Sequence, residues 1–389
     1  MMGLNRKIGF FVFKDIHVPH HLREYYASRE LKSQGWEVEW LLPVSGKESP
    51  DLVLDWRVAR YAECNFRGQK IAFPLYLALF LRRRRIRVVW VSGWAQRDPE
   101  ALGWLVRILK VFGFKLVYDT VDPIELLSDA QEQDSPRIQQ IRARMRQVYR
   151  ACDLVLTVTP EIQRAMLSLG VPDDKVVACR WGTDATVFKA GADGGAFRRE
   201  IGVDPDTFLV GWLGSMNPFK GLREIIVPLV EQCARRHSNV HFVIAGYGIL
   251  EPELRRWVQE NPALPVTILG RIPYREAAAF TGSLDAYLVP TNPDSLFARS
   301  ICPVKCFDAI AMGVPALVTR TEGTTFLEPL SRLVHLCDFR VASFLGELEV
   351  LLATPRSERA ARPAFNGISH QTVAREITAL IDRRLVTNP

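Results

Sequence analysis

The amino-acid sequence predicts an α/β protein: two doubly wound domains, each built on a parallel sheet, facing one another across a cleft. At 389 residues the chain is long enough for two domains of roughly 100–200 residues each. Short apolar runs alternate with longer amphipathic stretches, the pattern of parallel strands joined by crossover helices. The alternation runs through the chain twice, and the loosest segment, KAGADGGAF at 189–197, lies between the two passes.

In the first pass the apolar runs place strands at 8–13, 37–42, 88–92, 115–118 and 154–157. Helices are expected near 20–34, 73–84, 98–113 and 135–150. In the second pass strands are expected at 208–213, 241–245, 265–269, 286–289 and 315–319, and helices near 220–236, 251–259, 274–281, 303–312 and 341–353. The boundary is expected between 185 and 186, giving domains 1–185 and 186–389. The segment from Ser369 to Leu385 reads as a helix that either stays with the second domain or crosses back to brace the first. Ligands of such sheets bind beyond the carboxyl ends of the strands, so the loops that follow strands are where chemistry is expected.

Composition sets the class. The chain is 48% hydrophobic and 24% charged, ordinary for a soluble globular protein. Seven scattered cysteines fit a reducing compartment. Cys302 and Cys306 are four apart, but no second Cys or His pair completes a zinc set, so they read as buried thiols and no metal is expected. No apolar run reaches the roughly 18–20 residues of a membrane span. The N-terminal MMGLNRKIGFFVFKD reads as a first buried strand rather than a signal peptide, which points to the cytoplasm. The net charge is +7 and lies wholly in the first half: residues 1–180 hold 28 Lys+Arg against 21 Asp+Glu, the remainder 22 of each. Such asymmetry suits an anionic partner. No aromatic-interleaved basic motif of the RNA-binding kind is present, so a nucleic acid is not expected.

The second-half loops carry the sharper signals. GSMNPFKGL, 214–222, follows a strand: Gly214 permits close backbone approach, and Lys220 opens a helix where the macrodipole favours anions over cations. That mismatch reads as a phosphate contact or as a solvated surface lysine. Gly246 and Gly248 in GYGIL mark a ligand approach or a tight turn. Arg271 in GRIPYREA is exposed at a strand end. A long polar loop, PTNPDSLFARSICPVK, leads into the helix that carries Lys305 and Asp308, and loops of that length are more often functional than filler. The helix-end amides and Lys305 suit an anion, and Asp308 one turn on can accept from sugar hydroxyls. A phosphate beside a diol is what a nucleoside diphosphate presents. The competing reading is an exposed i,i+3 ion pair worth about 0.2–0.5 kcal/mol.

In the first half, KDIHVPHHLREYY holds His17, His20 and His21. They read as contacts to acceptor or donor or as a solvated loop, and no carboxylate pattern supports a metal there. Arg23 falls on the first helix and could meet a phosphate. Trp94 in VSGWAQRDPE could stack on a sugar ring. Asp119 and Asp122 in YDTVDPIE lie near a strand end; Asp122 either faces the transferred sugar or caps a turn before Pro123. IAFPLYLALFLRRRRIR, 71–87, is either a buried crossover helix with a solvated basic end or an interfacial helix touching anionic lipid head groups.

GWLGSMNPFKGL, VIAGYG, VTILGRIPYREA, LDAYLVPT and CPVKCFDAIAMGVPALVT together resemble the C-terminal domain of GT-B glycosyltransferases of the glycosyltransferase family 4 type. LREYYASRELKSQGWEVEWLLP, ACDLVLTVTPEIQRAMLSLGV and RWGTDATVF extend the resemblance into the first half, so that it covers nearly the whole chain. It implies two Rossmann-like domains, the first for the acceptor and the second for a nucleotide-sugar donor. The implied transfer is retaining and metal-independent, to a glycan or lipid-linked acceptor of the kind used in polysaccharide biosynthesis, with no cofactor beyond the donor; the interfacial reading of 71–87 would place a cytoplasmic protein at the inner membrane face. Lys220 matches the family's diphosphate-facing lysine, but Ser215 stands where an arginine is usual. Ser300 stands in place of the first of two glutamates, and Asp308 in place of the second, ribose-binding one. Pro303, Lys305 and Asp308 together resemble a branch of the family in which amides around Ser300, Ile301 and Cys302 cradle the diphosphate, with Arg271 and Ile272 flanking the base. Arg271 or Arg299 would supply the missing cation. The candidate catalytic residues are His17, Asp122 and Lys220, and the candidate acceptor contacts His20, His21, Arg23 and Trp94; where the family often carries a glycine-rich loop and a histidine, this chain has the 14–26 segment and Trp94. The alternatives are a nucleotide-sugar 2-epimerase of the same fold and a non-catalytic nucleotide-sugar-binding relative, the latter motivated by Ser215 and Ser300.

Overall fold

A computed structural model describes residues 6–12, 16, 21–48, 57–62, 71–92, 99–120, 135–189, 194–294, 296–330, 332–359 and 368–386. The chain divides into two compact units: Met1–Gly182 with Ser369–Pro389, and Thr183–Ile368.

The first unit is built on a seven-stranded parallel sheet: β1 (Lys7–Phe11), β2 (Glu37–Pro43), β3 (Arg57–Tyr61), β4 (Val88–Ser92), β5 (Lys115–Thr120), β6 (Leu154–Thr157) and β7 (Val176–Ala178). Their order is β3-β2-β1-β4-β5-β6-β7, so the winding reverses between β1 and β4. β1 is buried along its whole length, as a strand covered by helices on both faces must be. Phe10 stacks between Trp40 and Trp90 of the flanking strands, with centroids 5.5 and 5.2 Å away. The terminal helix His370–Ile381 packs in this unit against helix Leu22–Ser33, where His370 stacks on Tyr26 at 5.4 Å. Gly182 allows that return, because a Cβ there would lie 2.5 Å from the His370 nitrogen.

The second unit holds β8 (Phe208–Ser215), β9 (Val240–Tyr247), β10 (Val266–Ile268), β11 (Ala286–Val289), β12 (Ala316–Thr319) and β13 (Val334–Cys337). These strands run parallel in the order β10-β9-β8-β11-β12-β13, and the winding reverses between β8 and β11. Leu209 and Val210 at the centre of β8 are fully buried, and Trp212, Leu222, Phe242 and Phe344 lie in one apolar cluster.

Several details differ from the sequence expectation. The division falls at Gly182/Thr183 rather than 185/186; of the two placements open to the terminal segment, the structure has the one that crosses back, with residues from 369 onward in the first unit. The segment expected to be a loose linker contains helix Gly194–Glu200, held by Arg198. That guanidinium is buried and donates to the carbonyls of Ser283 (2.8 Å) and Thr207 (2.7 Å) and to the Asp285 carboxylate. β3, β7 and β13 were not expected. β3 and β13 are sheet edges, and β7 is an edge of only three residues, where one-sided cover leaves weak periodicity. The helix expected from 220 begins as a 3-10 turn, Pro218–Lys220. It is closed by Gly221 at φ 64° and continues through a wide turn, Leu222–Ile226, into Val227–Arg236.

Candidate functional site

The second unit gathers most of the expected donor-binding residues at the carboxyl ends of β8 and β9 and the start of helix Val304–Met312. Gly214 pairs with Gly246, and Ser215 with Tyr247. The strand ends come so close that a Cβ on Gly246, whose φ is 133°, would sit 1.8 Å from the Gly214 oxygen. Only glycine fits there. Gly248, at φ 154°, is held the same way: a Cβ would meet the Met216 oxygen at 2.7 Å, and the Leu250 amide donates to that oxygen at 3.0 Å. The result is a floor of bare backbone at the reversal of the sheet, the place where open α/β sheets receive ligands.

Lys305 reaches over this floor. Its Nζ lies 3.4 Å from where a Gly214 side chain would begin, with the Trp212 ring on the other flank at 3.2–3.3 Å. Burial holds the ammonium pKa below the ordinary lysine value. Among the described residues Lys305 has neither an ion pair nor a hydrogen bond to its ammonium. Its neighbour Asp308 is engaged elsewhere: the Thr183 hydroxyl donates to Asp308 Oδ1 at 2.8 Å. Burial pushes the Asp308 carboxyl up to about 7, against the opposing pull of the Thr183 hydrogen bond and the Lys305 charge. An exposed i,i+3 ion pair is therefore not what this sequence encodes. Thr183 is itself fixed by its amide, which donates to the Ile368 oxygen at 2.8 Å.

The other expected residues divide as follows. Lys220 is half-buried on its 3-10 turn with Nζ 4.8 Å from the Phe219 ring centroid. The Phe219 carbonyl accepts from the Asn292 amide at 3.0 Å, which ties the loops after β8 and β11 together. Ser215 is exposed at the strand end. Arg271 is exposed and lies over the Tyr247 ring at 5.4 Å, while Ile272 is half-buried. Ile301 and Cys302 are buried and Ser300 half-buried. This turn is pressed against Gly323, where a Cβ would meet the Ile301 oxygen at 2.5 Å. Arg299 Nε is buried without a hydrogen-bond partner among the described residues. Cys302 and Cys306 are buried thiols.

In the first unit, His17, His20, Trp94 and Asp122 lie outside the described residues. His21 is buried at the start of helix Leu22–Ser33, where its carbonyl accepts from the Tyr25 amide at 2.9 Å. Arg23, expected to meet a phosphate, is instead enclosed: its Nε is 3.4 Å from Asp119 Oδ2 and its guanidinium 5.9 Å from the Trp181 ring centroid. Burial pushes the Asp119 carboxyl up to about 7, with Arg23 opposing and Glu24 adding to the rise.

Two residues of this geometry were missed by sequence reasoning. Thr183 sits in RWGTDATVF, a stretch marked only by its family resemblance, and nothing local announces a partner 125 positions away. Trp212 reads as a core residue, yet its ring edge flanks Gly214 beside the lysine.

Comparison with known proteins agrees with this geometry. Residues 25–182 match the glycosyl transferase 4-like domain, and residues 207–342 match glycosyl transferases group 1. One curated relative, the Escherichia coli K12 protein WcaL, named as a colanic acid biosynthesis glycosyltransferase, is 22% identical over 244 residues. Another, a D-inositol 3-phosphate glycosyltransferase of Segniliparus rotundus, is 27% identical over 207 residues. The alignments take in 60% and 49% of this chain and 58% and 41% of those relatives. The chain thus spans about half the length of the curated relatives it matches. Among solved structures, Anabaena HepE in complex with UDP superposes with a TM-score of 0.71 at 15% identity, over 97% of this chain and 100% of that one. The chain belongs to the group 1, family 4-type glycosyltransferases, with the two Rossmann-like domains of the GT-B fold.

Proposed function

We propose that the protein is a glycosyltransferase that moves a sugar from a nucleotide-sugar donor to a glycan or lipid-linked acceptor, with retention and without a metal ion. One observation carries the reading: a half-buried lysine ammonium, without an ion pair among the described residues, stands over a glycine floor at the sheet's reversal, one helical turn from a carboxyl group held by Thr183. A diphosphate is the group that such a cation and bare backbone would receive. A ribose diol is what Asp308 would hold. In the transfer, the bond from the anomeric carbon to the diphosphate oxygen breaks, a bond from that carbon to an acceptor hydroxyl oxygen forms, and the hydroxyl proton passes to the leaving diphosphate. Negative charge accumulates on the leaving diphosphate, and Lys305, Lys220 and the amides around Ser300–Cys302 would stabilise it electrostatically. Arg271 and Ile272 would flank the base. His17 and Asp122 would face the transferred sugar, and His20 and Trp94 the acceptor, while buried His21 would not reach it. The names of the relatives and the UDP-glucose complex of HepE support a nucleotide-sugar donor and a place in polysaccharide synthesis. The cytoplasm, where nucleotide sugars are made, is the proposed location.

The test is calorimetric titration of UDP, GDP, ADP and CMP, followed by product analysis with the matching nucleotide sugars and an acceptor panel. Selective binding of one nucleotide and an acceptor-dependent glycoside would establish the activity. Absence of binding to all four would overturn it. A second reading follows from Ser215, which is exposed where the family carries an arginine: a non-catalytic binding protein would bind the nucleotide sugar and leave it intact with every acceptor.

A further inference from the structure

Helix Ala72–Arg83 buries Phe73, Leu77, Ala78 and Leu81 against its own unit. The opposite face of a surface helix is ordinarily polar. Here it is not. Ile71, Leu75 and Leu79, spaced at i, i+4 and i+8, are 50%, 39% and 53% exposed, and Val111, at the end of neighbouring helix Pro99–Val111, is 85% exposed. The next position on the same row is Arg83, and the chain continues through Arg84, Arg85 and Arg87. Arg84 is bound to Glu39. Among the described residues no ion pair involves Arg82, Arg83 or Arg87. Arg82, Arg85 and Arg87 line an open recess of about 360 Å³ beside Phe112, whose ring lies 5.2 Å from the Arg82 guanidinium.

We infer that this face docks on an anionic lipid bilayer, with the Ile71–Leu75–Leu79 row entering the head-group boundary and the arginines meeting lipid phosphates. Stretch 71–87 contains no acidic residue, and the net positive charge of the chain lies in its first 180 residues, which complements a negative partner. A row of exposed aliphatic side chains ending in arginines is the pattern of a helix lying in a membrane interface. A second copy of the chain is the poorer occupant, because it brings a second set of the same arginines to the contact and no acidic residue of 71–87 to neutralise them. No helix among the described residues is long and apolar enough to cross a membrane, so the contact is one of surface docking. The inference goes beyond the donor reading and stands on this surface alone.

The experiment is flotation of the full-length protein with vesicles of phosphatidylcholine alone and with 30 mol % phosphatidylglycerol (about a third anionic lipid). It is run on the wild type, Leu75→Glu/Leu79→Glu and Arg83→Ser/Arg87→Ser. Circular dichroism and melting temperature check that each variant is folded. The wild type is expected to bind the anionic vesicles, more weakly as salt rises. The arginine pair should bind about 25-fold more weakly, near 5-fold for each charge. The leucine pair should lose binding by at least about 10-fold. Wild-type protein that ignores anionic vesicles at low salt would overturn the inference. So would variants that bind as the wild type does, or binding that needs the arginines but not the leucines. A concentration-dependent dimer by light scattering, abolished by Leu75→Glu/Leu79→Glu with no vesicle binding, would assign the face to a second copy and overturn it equally.

Discussion

Lys305→Met tests the donor site with two readouts that move in opposite directions. Methionine keeps an unbranched stem of similar reach beside Trp212 and Gly214 and removes only the charge. If the ammonium receives a diphosphate oxygen, its loss removes a charge-assisted hydrogen bond worth about 1.5–3 kcal/mol. That corresponds to a Kd for the bound nucleotide that rises by about 10–150-fold. Stability should behave differently. The ammonium has no ion-pair partner among the described residues, and burial already disfavours its charged form, so the substitution leaves the folded state unharmed or more stable. The assay is calorimetry with whichever nucleotide the wild type binds, alongside a thermal melt of both proteins. A Kd within about 3-fold of wild type would refute the diphosphate contact, since such a change is under about 1 kcal/mol. A fall of several degrees in melting temperature would show that Lys305 serves the fold instead, because about 1 kcal/mol shifts the midpoint of a domain by roughly 2–8 °C.

Three further outcomes follow from the same geometry. Asp308→Asn keeps an acceptor for the Thr183 hydroxyl but removes a titratable group whose folded pKa, about 7, lies above its ordinary value of 3.8. Below about pH 4 both states hold the proton; between about 4 and 7 only the folded state does, so wild-type stability should fall relative to the variant by up to about 1.4 kcal/mol per pH unit and level off above 7. Parallel denaturation midpoints across that range would contradict it. Gly246→Ala places a Cβ 1.8 Å from the Gly214 oxygen at a φ of 133°, and should destabilise the second unit by at least about 2 kcal/mol and abolish nucleotide binding; a melt and a titration decide it. Arg198→Met takes from the buried Asp285 carboxylate its nearest cation, leaving it the Leu209 amide and the exposed Arg356, and leaves the Ser283 and Thr207 carbonyls without this donor, at about 3 kcal/mol by urea denaturation. A loss under about 1 kcal/mol would mean that Arg356, already 3.4 Å from the carboxylate, and the Leu209 amide suffice to hold it.

The alternation of strand and helix was legible because continuous apolar runs, such as VVWV in β4 and LVLT in β6, are buried on both faces of a parallel sheet. Those strands fall where the periodicity puts them. β3, RVARY, has exposed Arg57 and Arg60 and so shows no clean run. The 194–200 helix was masked by the glycines and alanines of 190–196. Its stability comes from Arg198 reaching residues 283–285, which no local window contains.

By itself, the sequence determined the doubly wound class, the strand-end glycines and the pairing of Lys305 with Asp308 on one helix, since each depends on residues within a few positions of one another. Tertiary structure alone decided what those residues face. It set Lys305 over Gly214 rather than against Asp308, joined Asp308 to Thr183 from 125 residues upstream, enclosed Arg23 against Asp119, and left Leu75 and Leu79 uncovered. The physical reason is that a side chain's charge state, partner and exposure are set by whatever the fold brings within a few ångströms of it. The parallel crossovers of this fold bring together segments that are tens to hundreds of residues apart in the chain.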